Sequence, residues 1–160
     1  MSLVSEYTIE PAQVKDIDEL LQDIRYADLQ EIRALSPTDP KTVLRQSLRI
    51  SFEAYTLRIR GRVACIYGVG VMSWLNKDGA PWLIGTNLIA QNTRLFLRLS
   101  REISTPLLSK YRHLRQWVDA RNRLSILWLK WLGFQFHDPE PIGRDGELFY
   151  LFTMENDTCV

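Results

Sequence analysis

The sequence predicts an α/β domain in which helices cover both faces of one mixed central sheet of about six or seven strands. Two kinds of segment alternate along the chain. In one, apolar residues occupy every second position, which is typical of strands; in the other, they recur three or four positions apart, which is typical of helices. Helices placed between strands in this way cover both faces of a sheet. Neither a repeat nor a low-complexity segment divides the 160 residues, which suit a single domain over residues 1–160.

The first third of the chain predicts one short strand followed by three helices. The strand covers residues 7–10, and apolar residues at helical spacing predict helices over 14–24, 26–35 and 40–48. Ser36-Pro37 ends the second of these helices, and Asp39 begins the third. The pattern places three acids of the first helix on its outward face: Asp16, Asp18 and Asp23.

The middle of the chain predicts a β-hairpin and a further strand. Residues 55–60 alternate between apolar and polar side chains, Gly61 supplies a turn, and 62–74 forms a longer strand, which makes a hairpin over 52–74. A second tight turn at 76–79 leads into a strand over 81–86. We expect the hairpin to lie at the centre of the sheet.

The last part of the chain predicts two helices and three strands. One helix begins at Leu88 and is ended or kinked by Pro106. A buried strand covers 114–118, and a mostly apolar helix over 122–132 has Gly133 as its C-terminal cap. Two strands close the sheet: 134–136 and 148–154.

The helix over 122–132 carries more apolar residues than one face can hold: Leu124, Ile126, Leu127, Trp128, Leu129, Trp131 and Leu132. Part of it is therefore either covered on two sides or exposed in an interface with another protein. The sequence thus predicts a protein partner, either a different protein or a second copy of the chain.

Composition excludes several classes of partner. The net charge is +1, so nucleic acid is not an expected partner, and the longest apolar runs are too short to cross a membrane. Cys65 and Cys159 do not have a metal-ligand spacing, and two isolated histidines do not form a metal site, so we expect no metal. A disulfide between the two cysteines is not expected either, which favours an intracellular protein. Residues 94–130 hold nine bases against two acids, so a polyanion-binding surface stays open as an alternative to ordinary solvated helices; its bases would be Arg94, Arg98, Arg101, Arg112 and Arg115.

Three segments resemble the GNAT (N-acetyltransferase) superfamily. Residues 7–21 (YTIEPAQVKDIDELL) resemble its first strand and helix, and residues 60–68 (RGRVACIYG) its central hairpin. Residues 122–134 (NRLSILWLKWLGF) resemble its late helix, commonly written N-x-x-A-x-x-L-Y-x-x-x-G-F. The resemblance implies the GNAT fold and transfer of an acyl group from acetyl-CoA to an amine.

The C-terminal half also resembles small GNAT-like proteins of short-tailed bacteriophages, including an internal virion protein. The resemblance is carried by these residues: Leu107–Tyr111, Trp117-Val118, Asn122, Leu129-Lys130, Gly133, Phe136-His137, Arg144–Gly146 and Leu151–Thr153. This resemblance implies a place in the host cytoplasm or the phage virion, with other virion proteins as partners.

The chain departs from the superfamily at two positions. The loop that cradles the pyrophosphate of acyl-CoA is commonly Q/R-x-x-G-x-G/A, but residues 89–96 (IAQNTRLF) contain no glycine. Gln91 or Arg94 would take the first position, and we expect Leu95 and Phe96 to face the core. Many members also protonate the leaving thiolate with a tyrosine, where this chain has Leu129.

The resemblance also assigns candidate site residues. Ile84, Gly85 and Thr86 would line the splayed strand pair that takes the pantetheine arm, with Gly85 either in a β-bulge or simply at a strand end. Asn122 occupies a position that often contacts the cofactor, or else it only caps the late helix. Asp119, just after a strand, is a candidate general base, unless it only pairs with Arg121 or Arg123.

Two functions therefore remain open besides polyanion binding. One is a weak or inactive GNAT-fold protein that acts through protein contacts, and the other is an active N-acetyltransferase on an unknown amine. The missing glycines favour the first, and Asn122 together with the intact overall pattern favours the second.

Overall fold

A computed structural model describes residues 6–157. Four elements in the first third of the chain are β1 (Tyr7–Pro11), α1 (Val14–Gln22), α2 (Tyr26–Leu35) and α3 (Pro40–Arg49). The middle forms β2 (Ser51–Ile59), β3 (Arg62–Ser73) and β4 (Asp78–Gly85). The remaining elements are α4 (Leu88–Gln91), α5 (Thr93–Leu108), β5 (His113–Asp119), α6 (Arg123–Leu132), β6 (Gln135–Glu140) and β7 (Phe149–Glu155). Each predicted element has its counterpart here.

The seven strands of the described chain form one mixed sheet in the order β1-β2-β3-β4-β5-β7-β6. Strands β1 to β4 are antiparallel neighbours, whereas β4 and β5 are parallel. The β2–β3 hairpin turns at Gly61, whose φ of +80° suits a glycine. The central strand is β4, so the prediction that the hairpin lies at the centre was one strand off.

Two apolar cores lie on opposite faces of the sheet. β3 contributes to both, since Cys65 packs with α5 and α6 while the next residue, Ile66, packs with α1 and α3. Cys65 is buried without a disulfide, and Cys159 lies outside the described residues. No helix in the described part is long and apolar enough to cross a membrane.

The helix predicted from Leu88 is interrupted. Asn92 has a φ of −134° and separates α4 from α5, and its Nδ2 donates to the backbone oxygen of Leu88 at 3.0 Å. Pro106 lies in the last turn of α5, which ends at Leu108.

Asp16 corrects the predicted outward face of α1. It is buried, and its carboxylate accepts hydrogen bonds from the Gln13 backbone at 2.9 Å, from Thr56 Oγ1 at 2.8 Å and from Arg58 Nη2 at 2.8 Å. Burial by itself would raise the pKa of Asp16, but these hydrogen bonds and the Arg58 charge hold that pKa below its usual value.

Candidate functional site

Strands β4 and β5 separate along most of their length. They pair only through Asp78 with His113 and Gly79 with Leu114, so the parallel ladder ends where the two strands have just begun. A cavity of about 250 Å³ occupies the gap. Its lining comes from the strands and from both helical layers: Glu31, Leu35, Val43, Trp82, Leu83, Phe96, Ser100, Trp117 and Trp128 are among them. The cavity therefore runs between the two faces of the sheet.

Two acids of α2 cover the free ends of these strands. Asp28 Oδ2 accepts the backbone N–H of Gly85 at 2.8 Å, and Glu31 Oε1 accepts that of Asp119 at 2.6 Å. Strands that separate leave backbone donors without a ladder partner, and such buried donors need an acceptor. The sequence analysis singled out neither Asp28 nor Glu31, because both look like ordinary residues of an amphipathic helix.

The three carboxylates at this end of the cavity differ in their partners. Arg25 Nη1 lies 3.3 Å from Asp28 Oδ1, and Arg121 Nη2 lies 2.7 Å from Asp119 Oδ2. Glu31 forms no ion pair with a base in residues 6–157. Asp119 thus has the ion pair with Arg121 that the sequence offered as the alternative to a catalytic role, and its assignment as a base stays a prediction.

Glu31 is the carboxyl whose environment most favours taking up a proton near neutral pH. Burial is the main cause that raises its pKa to about 8, and the nearby charges of Asp28 and Asp119 add to it, while Arg25 and the Asp119 backbone N–H oppose it. Burial also raises the pKa of Asp28, against the lowering effect of Arg25. A carboxyl with such a pKa can accept a proton from an amine at mildly alkaline pH.

Asn122 lies within the same cluster. Asn122 is the N-cap residue of α6, the position that the capping interpretation gave it, but its side chain makes no capping hydrogen bond. The residue is 2% exposed; its Nδ2 points toward Asp28 Oδ1 at 3.4 Å, and its Oδ1 accepts no hydrogen bond from the described residues. A buried acceptor left in this way costs about 1–3 kcal/mol, so the site lacks one hydrogen-bond donor.

Gly85 lies in a closely packed place at the end of β4. Gly85 stays in register with Cys65, without a β-bulge at this point. A Cβ on Gly85 would lie 2.6 Å from Ile89 Cδ1 and 3.2 Å from Arg25 Cδ. The bulge interpretation was therefore wrong, because glycine here admits α4 and the start of α2 to the strand end.

The other predicted cofactor-binding residues of this segment have separate places. Ile84 lines the cavity and packs in the core beneath α1 and α3. Thr86 is buried, and its Oγ1 donates to the backbone oxygen of Val63 at 2.9 Å. Gln91 is exposed at the end of α4. The cluster therefore brings Gly85, Asp119 and Asn122 together, while Thr86 and Gln91 lie outside it.

The start of α5 lacks the glycines that normally cradle a pyrophosphate. With Gln91 in the first position of the superfamily loop, Arg94 and Phe96 stand at its two small-residue positions. Leu95 and Phe96 are each 9% exposed and face the core as predicted. The Phe96 ring packs against Trp128 with centroids 5.6 Å apart, and Trp128 Nε1 donates to Ser100 Oγ at 3.2 Å. Glycines normally give an anion clear access to helix-start amides, and here the first glycine position carries the exposed side chain of Arg94 instead.

The apolar helix α6 is covered on one side only. Leu129 faces the core, whereas Leu124 and Leu127 are exposed and Trp131 is 40% exposed. Arg101 Cζ of α5 lies 4.0 Å above the Trp131 ring. The sequence left open whether this helix is covered twice or partly exposed, and the structure shows the exposed stripe.

Solved structures with this fold are GNAT acetyltransferases. The ribosomal-protein-S18-alanine N-acetyltransferase from Escherichia coli superposes with a TM-score of 0.66 at 16% identity, over 93% of each chain. Ard1 from Thermoplasma volcanium gives a TM-score of 0.63 at 18% identity, over 94% of this chain and 98% of its own. A probable acetyltransferase (GNAT family) from Chromobacterium violaceum gives 0.64 at 15% identity, over 94% and 88%.

The chain therefore has the GNAT acetyltransferase fold, as the sequence predicted. No protein-family model and no curated protein matches it. No cluster of side chains able to hold a metal ion occurs in the described part of the chain.

Glu31 should couple folding to pH. Its pKa is raised from 4.5 to about 8, so between these values the folded state keeps a proton that the unfolded chain releases. The free energy of unfolding should fall as pH rises through this window, by up to about 1.4 kcal/mol per pH unit, with no further loss from Glu31 above it. Glu31→Gln removes this contribution, so urea unfolding at pH 6 and pH 9 should show a smaller loss in the variant. Equal losses would contradict the buried, protonated state of Glu31.

Proposed function

We propose that this chain transfers an acyl group from a thioester to a primary amine. The observation that carries the proposal is the cavity through the gap between β4 and β5, with Glu31 at its end. A cavity that reaches both faces of the sheet allows an acyl donor and an amine to approach each other from opposite sides. Such positioning is a large part of the rate enhancement in a two-substrate reaction.

The proposed reaction needs a single proton acceptor. The nitrogen of a neutral amine attacks the carbonyl carbon of the thioester, the carbon–sulfur bond breaks, and the sulfur leaves as a thiolate. The amine loses one proton to Glu31, and solvent supplies the proton that the thiolate takes up. Leu129 is buried and has no proton to give, so it does not take over the role of the superfamily tyrosine.

The chain departs from the superfamily pattern on the side of the cavity where the nucleotide of acyl-CoA would bind, rather than on the side where the amine would enter. The start of α5 has no glycine to clear its backbone amides for a nucleotide pyrophosphate, and Phe96 and Trp128 bring α5 and α6 into contact. We therefore propose that the reactive end of acetyl-CoA fits the cavity while its nucleotide contributes little to binding. Exposed Arg94 is the cation nearest in sequence that could pair with a phosphate directly.

Calorimetry with acetyl-CoA tests the nucleotide side. We expect a dissociation constant no better than about 1 mM, equivalent to about 4 kcal/mol of binding free energy, with no saturable heat at lower concentrations. Acetyl-N-acetylcysteamine, which has the thioester without the nucleotide, is the matched ligand and should bind within about 10-fold of acetyl-CoA. Micromolar acetyl-CoA binding that is lost in Asn122→Ala would overturn this part of the proposal.

A transfer assay tests the function itself. The chain is incubated with acetyl-N-acetylcysteamine or acetyl-CoA and a panel of primary amines, and free thiol and acetylated amine are both measured. We expect thiol and acetylated amine in equal amounts, formed only when amine and folded chain are both present. Thiol release without acetylated amine, or no turnover with either donor, would refute the proposal.

A non-catalytic role through protein contacts is the second candidate. The exposed stripe of Leu124, Leu127 and Trp131 on α6 favours it, because monomeric proteins rarely leave such apolar patches uncovered. A more specific version of this candidate is that the chain is a component of a phage virion. It rests only on the sequence resemblance of the C-terminal half to phage proteins. Sedimentation that depends on protein concentration in the native chain, and is lost in Leu127→Lys, would support self-association through the stripe.

A further inference from the structure

The charged residues of the cavity all lie at one end. Asp28 and Glu31 are the two charged residues of the described chain among those that line it. They lie on the N-terminal side of Ile32 and Leu35 in α2, so the same helix face changes from acidic to apolar within about one turn, or about 5.4 Å.

An unsatisfied group lies beside this acidic end, on Asn122, which contacts Asp28 but does not itself line the cavity. Asn122 Oδ1 accepts no hydrogen bond in the described chain, although its amide touches Asp28 and is buried. Within residues 6–157, Glu31 has one hydrogen bond, from the Asp119 backbone, and no ion pair with a base. A primary ammonium or amine group has several N–H donors on one atom, which suits this combination of oxygens.

The side of the cavity toward α2 and α3 is apolar. Ile32, Leu35, Val43, Trp82 and Ile84 line it, and Ser36 adds one hydroxyl. A second ammonium on the substrate would have to lie against these side chains without a counterion, and a buried unpaired charge is costly. The cavity volume of about 250 Å³ also limits the body of the substrate to a small one.

We propose that the acceptor is a small amphipathic monoamine, with its nitrogen at Glu31 and its apolar body against Leu35, Val43 and Trp82. This inference rests on the proposed function in one respect, namely that Glu31 marks the position of the amine. It goes further in naming the substrate class, since it excludes diamines, polyamines and the side chain of lysine within a charged peptide.

Binding without any acyl donor tests the inference separately from catalysis. Three probes are titrated into the native chain by calorimetry: 2-phenylethylamine, 1,4-diaminobutane, and 2-phenylethanol, which keeps the apolar body but has no amine. We expect 2-phenylethylamine to bind at least about 10-fold more tightly than either of the others. Tighter binding of the diamine, equal binding of the alcohol, or no binding of 2-phenylethylamine would overturn the inference.

A charge placed on the apolar side should change the preference. Leu35 is 43% exposed, so Leu35→Asp should fold while putting a carboxylate about one turn from Glu31. The variant should bind 2-phenylethylamine less tightly and 1,4-diaminobutane more tightly than the native chain. Leu124→Asp is the matched control, because it adds the same charge at an exposed site on α6 that does not line the cavity, and its preference should stay native. Identical shifts in both variants would overturn the inference.

The two proposals fail in different ways. Selective binding of 2-phenylethylamine without transfer from either thioester would refute the proposed function and leave the amine site standing. Transfer to 1,4-diaminobutane in preference to 2-phenylethylamine would keep the function and overturn the substrate class.

Discussion

Glu31→Gln should lower kcat/KM for amine acetylation by about 100-fold or more at pH 8.5, because it removes the proton acceptor from the end of the cavity. Glutamine has nearly the same shape, and its Oε1 can still accept the backbone N–H of Asp119, so the local fold should persist. Circular dichroism and urea unfolding check that it does. A loss below about 5-fold would show that Glu31 takes no part in proton transfer.

The pH profile separates a proton acceptor from a residue that only supports the fold. In the native chain kcat/KM should rise with pH up to an apparent pKa of about 8, since the ionised form of Glu31 is the active one. The groups that face Glu31 are Asp28 and Arg25 from the α2 side and Asp119 from β5, and Asp28 and Asp119 raise its pKa. In Glu31→Gln the part of the rise that belongs to Glu31 should disappear and leave only the rise that comes from deprotonation of the amine substrate. An unchanged profile would contradict the assignment.

Asp119→Asn is the competing variant, because Asp119 is the base that the sequence suggested. The Asp119 carboxylate accepts two hydrogen bonds from the Arg121 side chain, at 3.0 and 2.7 Å, and it is buried away from the cavity lining. We therefore expect a smaller loss of kcat/KM in Asp119→Asn than in Glu31→Gln. The reverse order would make Asp119 the proton acceptor instead.

Trp128→Ala should lower the free energy of unfolding by about 3 kcal/mol. Trp128 is only partly buried, but its ring packs on Phe96 and its Nε1 donates to Ser100, so the change opens a gap between α5 and α6 and removes a hydrogen bond. The loss should be smaller than for a fully buried tryptophan, because one edge of the ring already meets water.

Trp131→Ala is the matched control for Trp128→Ala. It lies on the same helix, is 40% exposed, and loses mainly its contact with Arg101, so the expected loss is below about 1 kcal/mol. Urea unfolding of both variants measures the difference. Equal losses would mean that α6 packs on α5 through its outer edge rather than through Trp128.

The sequence alone determined the order and type of the elements, because these depend on local periodicity and on a few residues with special backbone geometry. Gly61 and Gly133 have φ values of +80° and +106°, and both end an element where the sequence placed a turn or a cap. Asp39 accepts the Thr42 backbone N–H as the cap of α3, just before Pro40. The sequence also showed directly that the start of α5 contains no glycine. Because Leu95 and Phe96 are strongly apolar, it predicted that both side chains face the core.

Only the tertiary structure decided which polar residues form the site. Asp16 meets Thr56 across 40 positions, Glu31 meets Asp119 across 88, and Asn122 meets Asp28 across 94. Helical periodicity gives the face on which an acid lies, but not what another strand or helix brings against that face. The separation of β4 from β5 leaves strand amides without a ladder partner. Asp28 and Glu31 of α2 accept hydrogen bonds from two of these amides.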